Sequence, residues 1–142
     1  MEVAYQFLAQ VADTADTGLV HAMGIGMDTV ESPSFPAIMM PFAIVTALKV
    51  EANEVGADHN FRLQLLKPDE EWISISEPRP FKTIPHPTRP EQYTYANIVA
   101  RLNLAFSKPG DYALRLLVDD DPMQPISLRV IERPEKSDSA RG

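Results

Sequence analysis

Between Thr94 and Phe106 the even positions (Thr94, Ala96, Ile98, Ala100, Leu102, Leu104, Phe106) are mainly apolar. The odd ones (Tyr95, Asn97, Val99, Arg101, Asn103, Ala105) are more polar. A period of two is what a strand with one buried face requires. A helix would also gather Tyr95, Ile98, Val99, Leu102 and Phe106 on one side. Lys108-Pro109-Gly110, however, turns the chain into a second alternating run, Tyr112, Leu114, Leu116 and Val118, which is too short for a helix. Ile126, Leu128 and Val130 form a third run, so antiparallel pairing of three consecutive strands is expected. Pro109-Gly110-Asp111-Tyr112 is a common opening for a late strand of a Greek-key sandwich, with Tyr112 packing at a corner.

The first half follows the same logic. Candidate strands are Val3 to Ala12, Leu19 to Val30, Phe42 to Glu51 and His59 to Leu66, with a short piece from Trp72 to Ile75. Turn chemistry separates them at Asp13 to Gly18, Ser32 to Pro36, Glu54 to Asp58 and Lys67 to Glu70. About eight short strands predict an all-β fold, a two-layer antiparallel β-sandwich of immunoglobulin-like, Greek-key type. Gly24 and Gly26 fall inside one candidate strand, where glycine marks a bulge or the close approach of another backbone. Pro78 to Pro90 cannot form a central strand and is expected as a long extended loop on the surface or along an edge. One domain over residues 1–132 is expected, followed by a polar tail over 133–142.

Several strands are apolar on both faces. Val3, Tyr5, Phe7 and Val11 oppose Ala4, Leu8 and Ala12; Phe42, Ile44 and Leu48 oppose Ala43, Val45 and Ala47; Leu19, Met23, Ile25 and Met27 oppose Val20 and Ala22. The outer face of a lone sandwich should be polar. Either loops such as Phe35 to Met40 or the Pro-rich segment cover the second face, or it is an interface. The interface reading names Ala4, Leu8, Ala43, Val45 and Ala47, with Met39 and Met40 as adaptable contacts.

Composition narrows the function classes. A net charge of −7, with scattered basic residues, argues against nucleic acid and anionic membranes as partners. The chain has no Cys, so disulfides, thiolate metal sites and cysteine nucleophiles are excluded. No basic and apolar leader opens the sequence and no apolar run approaches a membrane span, so a cytoplasmic location is expected.

The chemical motifs are thin. Asp119-Asp120-Asp121 suggests a hard cation, but no regular ligand spacing follows and acids are common in hairpin turns. His21, His59 and His86 are too dispersed for a zinc set, and His21 shares a phase with Leu19, Met23 and Ile25 as a core or sheet histidine would. No Gly-x-Ser-x-Gly elbow is present, and Gly24-Ile25-Gly26 lacks the third glycine and helix of a dinucleotide fingerprint. No catalytic residue, metal ligand or cofactor is assigned. An alternative function is a small-ligand or carbohydrate module using Trp72, Phe81, Tyr93 and Tyr95 around the Pro-rich loop, since sugars stack on exposed aromatics.

Met1-Glu2-Val3-Ala4-Tyr5 with Leu8-Ala9, then Gly24-Ile25-Gly26-Met27-Asp28-Thr29-Val30 and Phe35-Pro36, resembles a family of small uncharacterised bacterial proteins, frequent in actinobacteria. The resemblance covers about the first third of the chain and implies a bacterial cytoplasmic protein with no assigned activity. The leading expectation is a non-enzymatic β-sandwich acting through self-association or a protein partner.

Overall fold

A computed structural model describes residues 1–16, 18–38 and 41–134. The strands in chain order are β1 Glu2–Thr14, β2 Val20–Ile25, β3 Thr29–Ser32, β4 Ala37–Ile38, β5 Phe42–Val50, β6 Asp58–Leu66 and β7 Ile73–Ser74. They continue with β8 Arg79–Lys82, β9 Thr94–Leu102, β10 Ala105–Phe106, β11 Gly110–Val118, β12 Asp121–Pro122 and β13 Ile126–Glu132. A 3-10 turn, Ala52–Glu54, links β5 to β6.

Two open sheets pack face to face as a β-sandwich. One has the order β2-β1-β5-β9, the other β3-β13-β11-β6-β7, with β8 on β6 and β12 on β11; β4 and β10 form a small pair of their own. Leu8, Phe42, Ile44, Leu48, Ile98 and Leu102 from the first sheet meet Phe61, Leu63, Leu65, Leu114, Leu116, Leu128 and Val130 from the second. Each such side chain, once buried, contributes roughly 1.5–3 kcal/mol. Tyr112 closes one end of this core. Its hydroxyl donates to the Lys108 carbonyl at 2.7 Å and its ring meets Phe106 edge-on at 4.9 Å. The corner role expected of Tyr112 is what the structure shows.

The two-sided apolar character of β5 has an internal cause. Phe42, Ile44, Leu48 and Val50 face the inter-sheet core, while Ala43, Val45 and Ala47 on the other face are also buried. Covering that second face is the far half of the β1–β2 hairpin. Ala12, Val20 and Ala22 pack with Phe7, Ala43, Val45 and Val99 in a second apolar cluster. At the tip, the Gly18 carbonyl accepts from Asn97 Nδ2 at 3.0 Å, and Asp13 pairs with Arg101 at 3.4 Å. Asn97 and Arg101 lie on β9, on the far side of β5, so the hairpin reaches across the sheet.

Gly24 permits the bend. It sits between the pairs Ala9–Ile25 and Val11–Met23 at φ +67°, and a Cβ there would lie 2.6 Å from the Gln10 side chain. The close neighbour is a side chain and not the other backbone expected at a strand glycine, and the left-handed φ is what only glycine adopts readily here.

Four expectations are corrected. Leu19 to Val30 is not one strand: it breaks after Ile25, and β3 then pairs parallel with β13. β9 and β11 do not pair, because the chain crosses from one sheet to the other between Asn103 and Pro109. Alternation cannot separate these cases, since both strands bury one face either way. The Pro-rich segment contains β8, which occupies an edge beside β6, where proline's missing donor does no harm. The surface expected at Leu8, Ala43, Val45 and Ala47 is interior: Leu8 lies in the core between the sheets, and Ala43 and Val45 pack under the hairpin. Ala4 is exposed. Met39 and Met40 lie outside the described residues, as does the expected tail from Glu135 onward.

Candidate functional site

Folding the hairpin inward turns its other face to solvent. Val11 and Met23 are directly paired neighbours, 60% and 72% exposed, and Ile25, just beyond the bend at Gly24, is exposed at 60%. His21, expected as a core or sheet histidine, is a sheet residue on β2 but is exposed, not in the core. Leu19 at the hairpin tip is also exposed. Among the described residues, the exposed large hydrophobics are Tyr5, Val11, Leu19, Met23, Ile25, Ile84, Tyr93 and Tyr95 on this side, and only Ile73 on the second sheet.

Beside the hairpin tip runs a groove of about 540 Å³. Its walls are Tyr5, Gly18 and Leu19, the Pro-rich stretch from Phe81 to Pro87, and β9 from Thr94 to Ile98. Thr83 in that wall is buried, and its hydroxyl has no hydrogen-bond partner among the described residues. His86 holds the next turn, its Nδ1 accepting from the backbone amides of Thr88 and Arg89.

The four aromatics of the ligand-module alternative do not converge. Trp72 lies under the Arg115 guanidinium at 4.1 Å on the second sheet. Tyr93 and Tyr95 meet edge-on at 5.5 Å near Lys49, whose ammonium sits 4.5 Å over Tyr93. Phe81 packs on Phe61 and His59. Only Phe81 and Tyr95 line the groove.

A second cluster joins residues distant in sequence. His59 Nδ1 lies 2.6 Å from Asp119 Oδ2, and His59 Nε2 lies 3.0 Å from the Glu54 carbonyl oxygen. Both partners are hydrogen-bond acceptors, an arrangement that favours the doubly protonated ring. The Asp119 bond, then the Glu54 carbonyl, hold His59 above its ordinary pKa against the opposing effect of burial. Burial raises Asp119, but the His59 bond and the Asn60 amide together outweigh it and leave its pKa lowered. The Met1 ammonium, 2.9 Å away, keeps the Glu54 carboxyl below its usual range.

An imidazole engaged at both nitrogens has no lone pair for proton abstraction, so the geometry suits a clamp better than a general base. It ties the 3-10 turn, the start of β6 and the β11–β12 turn together. The acidic triplet serves that turn. Asp119 and Asp120 adopt φ +50° and +66°, the left-handed pair that a two-residue hairpin needs, with Val118 opposite Asp121. Asp120 points to Arg62 at 3.3 Å. Among the described residues no group of three or more acidic or histidine side chains converges as a cation site.

Residues 4–131 match a family of unknown function, DUF6941. The chain belongs to that family. No curated protein matches it. Nor, among the described residues of this DUF6941 member, is any helix long and apolar enough to cross a membrane. Sequence reasoning missed its exposed face of Val11, Met23 and Ile25. The usable signal was Gly24, which marks where the hairpin bends and therefore which of its faces turns outward. The His59–Asp119 pair, 60 residues apart, carried no local signal.

Proposed function

We propose that this DUF6941 member is a bacterial, cytoplasmic, non-enzymatic β-sandwich of immunoglobulin-like kind that works by binding another protein. The binding surface is the outward face of the β1–β2 hairpin, Val11, Met23 and Ile25, continued by the groove at its tip. The observation that carries this reading is the concentration of exposed large apolar side chains on one side, with only Ile73, among the described residues, exposed on the second sheet. Apolar side chains gathered on one side of a soluble domain mark interaction sites. The Tyr112 corner supports the immunoglobulin-like assignment, and the likeness of the N-terminal third to small bacterial proteins supports the origin.

Affinity capture from a bacterial extract tests the reading. Met23→Asp and Ile25→Asp change exposed side chains and should leave the fold intact by circular dichroism, and they should lose partners that the wild type retains. Ile73→Asp, on the opposite sheet, should retain them. Equal recovery by all three variants would contradict the proposed surface.

A further inference from the structure

β9 is the end strand of the first sheet, and it pairs with β5 in an unbroken register from Thr94 to Leu102. In an antiparallel ladder alternate residues turn N–H and C=O toward the partner, so on an end strand the others turn both groups outward. Among the described residues those outward groups have no backbone partner. The other edges of the two large sheets are blunted, as edges of soluble proteins usually are. β3 has four residues and Pro33 follows it, β7 has two, β8 contains Pro80, and β2 is bent at Gly24.

The groove beside the hairpin tip follows the open edge of β9. Thr94, Tyr95, Ala96, Asn97 and Ile98 all line it. Successive side chains of a strand point to opposite faces, so a consecutive run shares one groove only along the strand's edge. The facing wall does not pair with β9. Its Pro85 and Pro87 have no N–H, and the Thr83 carbonyl accepts from the Gly56 amide at 3.1 Å. The buried Thr83 hydroxyl in that wall has no partner among the described residues, which leaves a polar group for an occupant to satisfy.

We propose that the groove takes one extended segment of a partner protein, which adds as a further strand to the outer edge of β9. This rests on the binding surface proposed above and names the chemistry of what its groove receives. Donors and acceptors spaced along a strand edge match the main chain of another strand, and side chains alternating about that chain supply selectivity. One phase of the segment meets Tyr5, Leu19 and Tyr95 and the other meets Phe81 and Ile84, so its central residues are apolar. Charge sets its ends. Lys82 in the wall and Arg101 further along β9 are each committed to a carboxylate, Asp58 and Asp13, and the chain carries −7, so Lys or Arg flanks the segment. Walls on both sides favour a lone segment over the edge of another folded sheet.

The probe is a synthetic decapeptide with valine and tyrosine alternating with threonine between terminal lysines, titrated into the purified full chain. Binding should slow amide hydrogen exchange at every second residue from Thr94 to Ile98 by about tenfold or more. Ile84→Asp and Tyr95→Asp change exposed side chains and should each weaken binding about tenfold, as should terminal glutamates in place of the lysines, while Ile73→Asp should not. A peptide that fails to bind overturns the proposal. So does one that binds while the β9 amides exchange as before, or whose affinity Ile84→Asp leaves intact. Partner capture separates this failure from that of the binding surface. If Met23→Asp loses a partner that Ile84→Asp and Tyr95→Asp retain, strand addition is wrong and the hairpin face stands. If the peptide protects β9 while Met23→Asp retains every partner, the strand site stands and the hairpin face falls.

Discussion

The two sheets of this sandwich treat their outer faces in opposite ways. On the β3-β13-β11-β6 sheet, cross-strand pairs put polar groups in register. Asp111 stands opposite Arg129 with an ion pair of 3.2 Å, and Gln64 stands opposite Arg115 with a hydrogen bond of 2.9 Å. On the β2-β1-β5-β9 sheet the equivalent rows are Tyr5–Ala47–Asn97, Phe7–Val45–Val99 and Ala9–Ala43–Arg101. The first face is finished by solvent and the second by the chain's own hairpin. Small residues at the centre of the second face let that hairpin lie close. The lesson is that an apolar outer face need not be an interface: it was covered from within, and covering it moved the exposed apolar surface one layer outward.

The comparison breaks most strongly at Val45, which is 0% exposed although it lies on the face turned away from the sandwich core. Val45→Asp buries an unpaired charge and should cost about 3–5 kcal/mol. A urea midpoint that hardly moves would mean the face is wet. Next comes the bend. Gly24→Ala meets both a left-handed backbone and the Gln10 side chain, and should cost about 2 kcal/mol. Adding Gln10→Ala should recover part of that loss, which a double-mutant cycle measures.

His59→Gln gives a smaller effect, about 1–1.5 kcal/mol near neutral pH, and a characteristic pH dependence. The folded pKa of His59 is raised, so its contribution is complete below about pH 6.5 and is lost as pH rises through the folded value. Asp119 is lowered, so its share is lost only as pH falls below the ordinary carboxylate range. Wild-type denaturation midpoints should therefore decline above about pH 6.5 more than those of His59→Gln; parallel curves would refute the clamp. Least of all, Arg129→Ala on the solvent-finished sheet should change stability by under about 0.5 kcal/mol, because that pair is exposed.

Much of the fold was legible because alternation is local. The strands from Phe42, His59, Tyr112 and Ile126 stand within a residue or two of where their patterns place them. What alternation cannot carry is which strands share a sheet. Thr94–Leu102 and Gly110–Val118 look like hairpin partners, yet the seven residues between them cross to the other sheet. The candidate surface was half legible. The pattern showed that Ala43, Val45 and Ala47 must be covered, but identifying the cover depended on a bend at Gly24, a tertiary event signalled by one glycine. Asp119 and His59 meet only because the β11–β12 turn falls beside the start of β6, which no spacing reveals.

The central claim is that the β1–β2 hairpin lies across the outer face of β5. Methyl nuclear Overhauser effects test it most directly. Contacts between Val20 or Ala22 and Val45 or Val99 are predicted in the wild-type chain. Their absence, with Val45 instead showing contact to water, would contradict the account.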